Sequence, residues 1–488
     1  MTAELVLVER FDDPAAYRRV DVADKLVFGR GDLSEARRLA VERHGAIGLV
    51  TDNLWEFAPV RHRFDIPDAL QYTSFWWTGA PGEKRCFGFV LSPKGGEDLR
   101  RLLNTKKAAG RPVRVHARVA SSFVKGTIEN VSAFIPGDGE ADEEVLVVAH
   151  LCHPEASAND NASGAGAAME AARALHSLIA SGRLPRPRRG LRFLLVPEMT
   201  GTYAYLATLA PGPRSRIVAG INLDMVGENQ DLCKSTLQVE RPSLACPNYA
   251  GDLAAIILGE LAQEGKNLSG TSRYALFRHA VTSFSGGSDH YILSDPSVGI
   301  PSPMIIQWPD RFYHTSQDTI DKVDPDMLRR VGVLTAAYAY FIAAARLPEA
   351  TWLAGEMAAG FAADLHAAAR SHQEALVTEA AKTKAETKAG SGVETAPGGE
   401  GIADGLAAVE RWLAFRGERR RQDLLSLRRL VDPQDLPALD KVLDAMALEV
   451  AAAVETETRR LGTQSPQPRP GQGVPWTGGA PRAHRKTV

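Results

Sequence analysis

The chain reads as an α/β protein: a mostly parallel mixed sheet covered by helices on both faces, with a small α/β N-terminal domain and a helical C-terminal extension. Three observations predict this. Short continuous apolar runs, VLVVA at 145–149, LRFLLV at 191–196 and IVAGINL at 217–223, have the length and aliphatic content of fully buried strands. Segments of helical spacing stand between and after them, GAGAAMEAARALHSLI at 164–179 and the long apolar stretch 326–345. The composition, 44% hydrophobic and 24% charged over 488 residues, is that of a globular protein of two or three domains.

Taken in order, residues 1–112 form the small domain. KLVFG at 25–29 is strand-like, LSEARRLAVERH at 33–44 helical, and AIGLVT at 46–51 strand-like again. A second strand and helix follow at 86–91 and 95–103. This pattern resembles the protease-associated domain, an accessory module of peptidases. Residues 113–347 form the main domain: strands at 113–119, 127–135, 145–149, 191–196, 217–223 and 302–308, with the helices named above. From 348 the chain turns Ala-rich and charged, with helical patterns to Lys388, about 404–430 and 434–461. A Gly/Ser/Pro/Glu stretch near 389–403 reads as a flexible linker, and the Pro/Gly-rich segment 462–488 as a disordered tail.

The bulk numbers exclude several classes. A net charge of −2 gives no pull toward nucleic acid or an anionic membrane surface. No apolar run approaches the roughly 18 residues of a membrane span. The start, MTAELVLVERFDD, lacks the basic and apolar regions of a secretory signal. Four cysteines (Cys86, Cys152, Cys233, Cys246) do not make a disulfide framework, so a cytoplasmic setting is expected. The C-terminal helices are candidates for homo-oligomer contacts.

Ligands of open α/β sheets bind beyond the carboxyl ends of the strands. The residues collected there are His150, Cys152, His153 and Asp160 after the first run, Glu198 after the second, Asp224 after the third, and His314 after the last strand. Asp289, in SGGSDH, and Asp318, four residues past His314, lie nearby in sequence. Singly, each has an ordinary reading as a turn residue, a helix cap or a hydrogen-bonded core histidine. Together they would crowd one sheet edge with imidazoles and carboxylates. A divalent cation supplies the missing charge compensation, and imidazole plus carboxylate suits a catalytic zinc site.

The order His150, ANDNASG, a strand ending in Glu198, NLDMVG, SDH and YHTSQDT resembles the zinc aminopeptidase family, which includes leucyl aminopeptidases and glutamate carboxypeptidases. The resemblance covers about 113–347 and is nearest to a bacterial aminopeptidase-like branch with HLCHP at the first motif. It implies a zinc-dependent exopeptidase, most simply an aminopeptidase, with one or two zinc ions and a peptide or small amide substrate. Carried over position by position, His150, Asp160, Asp224 and His314 are metal ligands, Asp160 bridges two metals, and Glu198 is the general base.

Two departures stand out. Met199 occupies the place of a ligand glutamate, and a thioether is a poor zinc ligand. Cys152 occupies the place of an aspartate that orients the first histidine. His153 or Glu155 are candidates to replace the lost contacts, and Asp289 and Asp318 to orient ligands. On this pattern the His150–Asp224 position keeps its ligands and the His314 position is one short. Glutaminyl cyclases, a one-zinc branch, keep the opposite half. The alternatives are a weakened peptidase-like binding or scaffold protein, which Met199 permits, and an amidase or deacylase acting on a small amide.

Overall fold

The computed structural model describes residues 1–76, 80–122, 124–153, 155, 157–209, 216–388 and 398–464. Two compact units emerge, Met1–Met357 with Gln422–Leu443, and Ala358–Arg421 with Asp444–Val488.

The first unit contains two main sheets. The first has five strands, β1 Thr2–Arg10, β2 Leu26–Arg30, β3 Gly48–Thr51, β4 Phe87–Val90 and β5 Val113–His116, in the order β4-β3-β2-β1-β5. All run parallel except β5, which pairs antiparallel with β1. Successive residues of a strand face opposite sides. Val27 and Leu49 therefore join Phe11 and Leu39 in one apolar cluster, while Leu26, Phe28 and Val50 join Leu103 in the other. Helix Pro93–Ala108 starts where Ser92 accepts from Gly95 N and proline takes the first turn. The sequence reading assigned 113–119 to the next domain. The pairing of β5 with β1 instead carries the first sheet through His116.

The second sheet has seven strands. They are β6 Val131–Ile135, β7 Glu144–His150, β8 Gly190–Val196, β9 Ile217–Leu223, β10 Thr236–Glu240, β13 His279–Thr282 and β14 Met304–Trp308, in the order β13-β10-β14-β9-β7-β8-β6. A two-stranded ribbon, β11 Gly265–Lys266 and β12 Arg273–Tyr274, lies in the intervening segment. The four central strands, β14, β9, β7 and β8, are parallel; β6 pairs antiparallel with β8 and β10 with β14, and β13 runs parallel to β10. Val145 to Ala149 are fully buried, as their unbroken apolar run requires. Leu146 and Val148 pack with Leu206, Ile292 and Leu293 on one face. Helices Gly164–Ala180 and Pro325–Ala344 cover β7 from the other. The chain moves from β7 to β8 on one side and to β9 on the other. The gap between the ends of β7 and β9 is therefore a topological switch point, where such sheets bind ligands.

The second unit is helical. Phe361, Leu365, Leu413, Val450 and Leu461 are buried in it, and His366 lies 3.1 Å from Glu457. Its helix Gly398–Ser426 begins inside the segment expected to be a linker, so 398–403 is helical rather than flexible. The rest of that segment, 389–397, lies outside the described residues, as does the expected tail from 465; residues 462–464 extend helix Leu436–Gln464. Among the described residues, no helix is long and apolar enough to cross a membrane.

Candidate metal centre

The polar loops at the carboxyl ends of the parallel strands converge on Asp160. His150 is the last residue of β7, and Asp224 follows β9 directly. Between them the segment Ala158–Ser163 makes one irregular helical turn and is stitched to the residues after β9. Asn161 donates to Leu223 O at 2.8 Å and accepts from Met225 N at 3.0 Å. Ser163 Oγ accepts from Val226 N at 2.9 Å, and Asn159 Oδ1 from Gly227 N at 3.1 Å. Gly164 completes the turn, because a Cβ there would collide with Leu223 O and the Asn161 amide. Asn159, Asn161 and Ser163 thus bind the neighbouring loop and leave the Asp160 carboxylate to the site.

That carboxylate divides its oxygens. Oδ1 lies 3.2 Å from His150 Nε2, and Oδ2 lies 3.1 Å from both His153 Nε2 and His314 Nε2. His150 Nε2 is also 3.3 Å from Asp224 Oδ1. The potential ligand atoms of His153, Asp160 and His314 all lie within 4.8 Å of one another, as do those of His150, Glu198 and Asp224. Donor atoms on one tetrahedral ion with bonds of about 2 Å sit roughly 3.3 Å apart, so these spacings fit a divalent cation in each group. Three buried or half-buried imidazoles turning Nε2 toward one carboxylate also suit metal ligation, with Nδ1 left for a supporting contact. His150 Nδ1 has Cys152 Sγ at 3.8 Å, and His153 Nδ1 has Ser157 Oγ at 3.2 Å.

Electrostatics follow from this packing. Burial opposes ionisation of Asp160, yet hydrogen bonds from the three histidines hold its carboxyl well below the usual range. Burial opposes protonation of His150, but Asp224 and Asp160 outweigh it and raise the imidazole. Burial first, then the Asp224 charge, push the Glu198 carboxyl up to about 7. Glu198 stands two residues past β8, and its N–H donates to Cys152 Sγ at 3.0 Å.

The structure brings His150, His153, Asp160, Glu198, Asp224 and His314 together. His153, a candidate to replace the glutamate that the resemblance calls for, lies in one group with Asp160 and His314. Glu155 is exposed and belongs to neither group. Met199 takes φ +56 and packs its side chain against the Leu194–Val196–Ile292 cluster. Asp289, a candidate to orient a ligand, instead accepts from Met199 N at 2.8 Å and Thr202 Oγ1 at 2.6 Å. It therefore holds the turn that presents Glu198. Asp318 does not serve the His314 ring. Its two oxygens accept from Asn159 N and Asp160 N at 2.8 and 2.9 Å, fixing Asp160 from its backbone. Behind that loop, Glu228 and Asp310 form a buried carboxyl pair. Burial and the neighbouring Asp310 push Glu228 up, and burial brings Asp310 to about 6, so the pair holds a proton. Glu228 accepts from the Asn159 amide.

Sequence reasoning missed the N-terminal contribution. The Tyr72 ring lies 4.8 Å from the rings of both His153 and His314, and Trp55 lies 5.7 Å from His314. Burial first, then Cys152, Asp160 and Glu198, raise the Tyr72 phenol. Residues 54–72 carry no periodicity that would mark them as part of a site.

Fold and site make an α/β domain with two imidazole–carboxylate groups that could hold metal, gathered around Asp160 at a switch point. Residues 130–339 match the model of peptidase family M28, and the resemblance to the zinc aminopeptidase family holds over that segment. Among solved structures, the chain is similar to BSAP, a zinc aminopeptidase from Bacillus subtilis, at 21% identity over 70% of this chain and 75% of that one (TM-score 0.48). It is similar to an aminopeptidase from Aneurinibacillus sp. strain AM-1 at 23% identity over 70% and 75% (TM-score 0.43). A glutaminyl cyclase from Fimbriiglobus ruber aligns at 18% identity over 50% and 87% (TM-score 0.32). No curated protein matches the chain.

Proposed function

We propose that this protein is a zinc-dependent exopeptidase of the aminopeptidase type, with Glu198 as its general base. One observation carries the reading: the Asp160 carboxylate gives one oxygen to His150 and the other to His153 and His314. In this reading His150, Asp160 and Asp224 hold one ion, and His153, Asp160 and His314 hold the other. Zinc bound there would polarise the scissile carbonyl and acidify a water.

The chain's own residues supply the proton path. Glu198 is half-buried beside the His150 group, so its carboxylate is in place to take a proton from the attacking water. It then returns that proton to the departing nitrogen. A carboxyl raised to about 7 is matched to both transfers near neutral pH. Asp289 keeps Glu198 aimed by holding Met199 N, and Asp318 keeps Asp160 in place.

The test pairs metal analysis with hydrolysis of aminoacyl amides. The expected result is about two zinc ions per chain and chelator-sensitive activity. Glu198→Gln should lose on the order of 10²- to 10⁴-fold in kcat while keeping its metal. A protein without bound metal, or a Glu198→Gln variant of undiminished activity, would overturn the reading.

A further inference from the structure

The ligand loop after β14 is held from outside the seven-stranded sheet. His314 sits at φ +53, a left-handed conformation that a residue with a β-carbon adopts only where its surroundings impose it. Those surroundings come from residues 54–72. Gln71 Nε2 donates to His314 O at 2.8 Å, and Tyr72 N donates to the same carbonyl at 2.6 Å. Arg61 Nη1 donates to Arg311 O at 3.1 Å and Tyr313 O at 2.9 Å, and its Nε to Trp55 O at 2.6 Å. Leu70 and Ser316 exchange two further bonds, at 2.9 and 3.0 Å.

Arg61 is fully buried, and Gln71 is 3% exposed. The Arg61 guanidinium lies over the Phe57 ring at 4.4 Å, and the hydrogen bonds above take it to three main-chain carbonyls. Burying a cation is costly, and hydrogen bonds to carbonyls offset only part of that cost. What this geometry sets is the path of residues 311–314, hence the direction of the His314 imidazole. Tyr72 then packs on His314 and on His153, the two histidines of one group. Among the described residues nothing comparable reaches the His150 group from the N-terminal segment; its candidate ligands stand on β7, the Ala158–Ser163 turn and the end of β9.

We infer that Arg61, Gln71 and Tyr72 are positioning residues for one metal of the pair, so that the His153–His314 position is loaded only with the N-terminal segment docked on it. This rests on the two-metal reading above.

The experiment uses the full-length protein and titrates zinc, then cobalt, into metal-free wild type, Gln71→Glu and Arg61→Lys. Trp55 N donates to Gln71 Oε1 at 3.0 Å, and Gln71→Glu keeps that acceptor while removing the side-chain donor to His314 O. Arg61→Lys keeps the charge and loses the fork. The expected result is one of two affinities weakened about 10- to 100-fold, the usual cost of losing an outer contact to a ligand. The other affinity stays at its wild-type value, even where the thermal midpoint of the metal-free protein falls. The cobalt spectrum should lose the component of the second ion. Two wild-type affinities in both variants would overturn the proposal. So would an equal weakening of both ions with a lowered metal-free midpoint, which marks a general structural role. A wild type that binds fewer than two ions would instead overturn the two-metal reading, and this proposal with it.

Discussion

Two buried aspartates, one beyond each main sheet, make opposite use of three basic neighbours. Asp52 follows β3 and is ringed by Arg30, Arg63 and Arg100. Asp160 lies beyond β7 and is ringed by His150, His153 and His314. Guanidinium is charged at every accessible pH and has only donors, so the Asp52 cluster is closed on itself. Burial alone would raise Asp52, but Arg100 and Arg30 overcome it and hold the carboxyl at about 2. Imidazole, unlike guanidinium, can give up its proton and present a lone pair, so the Asp160 cluster can accept a metal cation in place of its own protons. The same carboxylate in a similar setting is a structural tie in one sheet and a candidate metal bridge in the other. The difference is the chemistry of the bases around it.

Substitutions at the two clusters should separate these roles. The largest effect is expected for Asp160→Asn, which removes the group shared by both metal positions. Both zinc affinities should fall by more than the roughly 100-fold cost of an outer contact. Equilibrium dialysis checks this, and retention of two tightly bound ions would break the contrast. Next, His153→Ala should release about one ion of two, on the order of 100-fold in one affinity, and His153→Glu should recover part of it. If His153→Ala holds both ions, Asp160 and His314 suffice without it.

Asp52→Asn should leave metal binding unchanged and cost about 2 to 3 kcal/mol of stability at pH 7. The sign follows from a folded pKa of about 2 against an unfolded value near 3.9. The stabilisation is full above the unfolded value and is lost as pH falls from about 4 toward 2. Urea unfolding of wild type and variant should therefore converge over that window, and a pH-independent gap would count against the arginine cluster as its source. The smallest effect belongs to Cys152, whose sulfur stands 3.8 Å from His150 Nδ1. Cys152→Ala should weaken one zinc site about tenfold, and Cys152→Ser should restore most of it.

Much of the centre was legible because it follows from local pattern. A continuous apolar run predicts a buried strand, and a buried strand in a parallel sheet ends where ligands collect. That argument picks out His150, Glu198, Asp224 and His314 without knowledge of the fold's details. The helices at 164–180 and 325–344 were legible for the same reason, through their own periodicity. Strands β1 and β10 and helix Ala250–Ala262 were not singled out, because their neighbours in space supply most of what makes them buried.

The sequence by itself therefore determined the layered α/β plan, the strand ends and the residue types that gather there. These depend on hydrophobic spacing and on chemistry carried within a few residues. Only the tertiary structure decided that His153 rather than Glu155 turns inward, that Asp318 holds the Asp160 backbone, that Arg61 reaches Tyr313, and that Gln71 and Tyr72 reach His314, across more than two hundred residues. Such contacts join segments whose separation along the chain carries no periodic signal. They are specified by the packing of one loop against another, and that packing exists only once both sheets have formed.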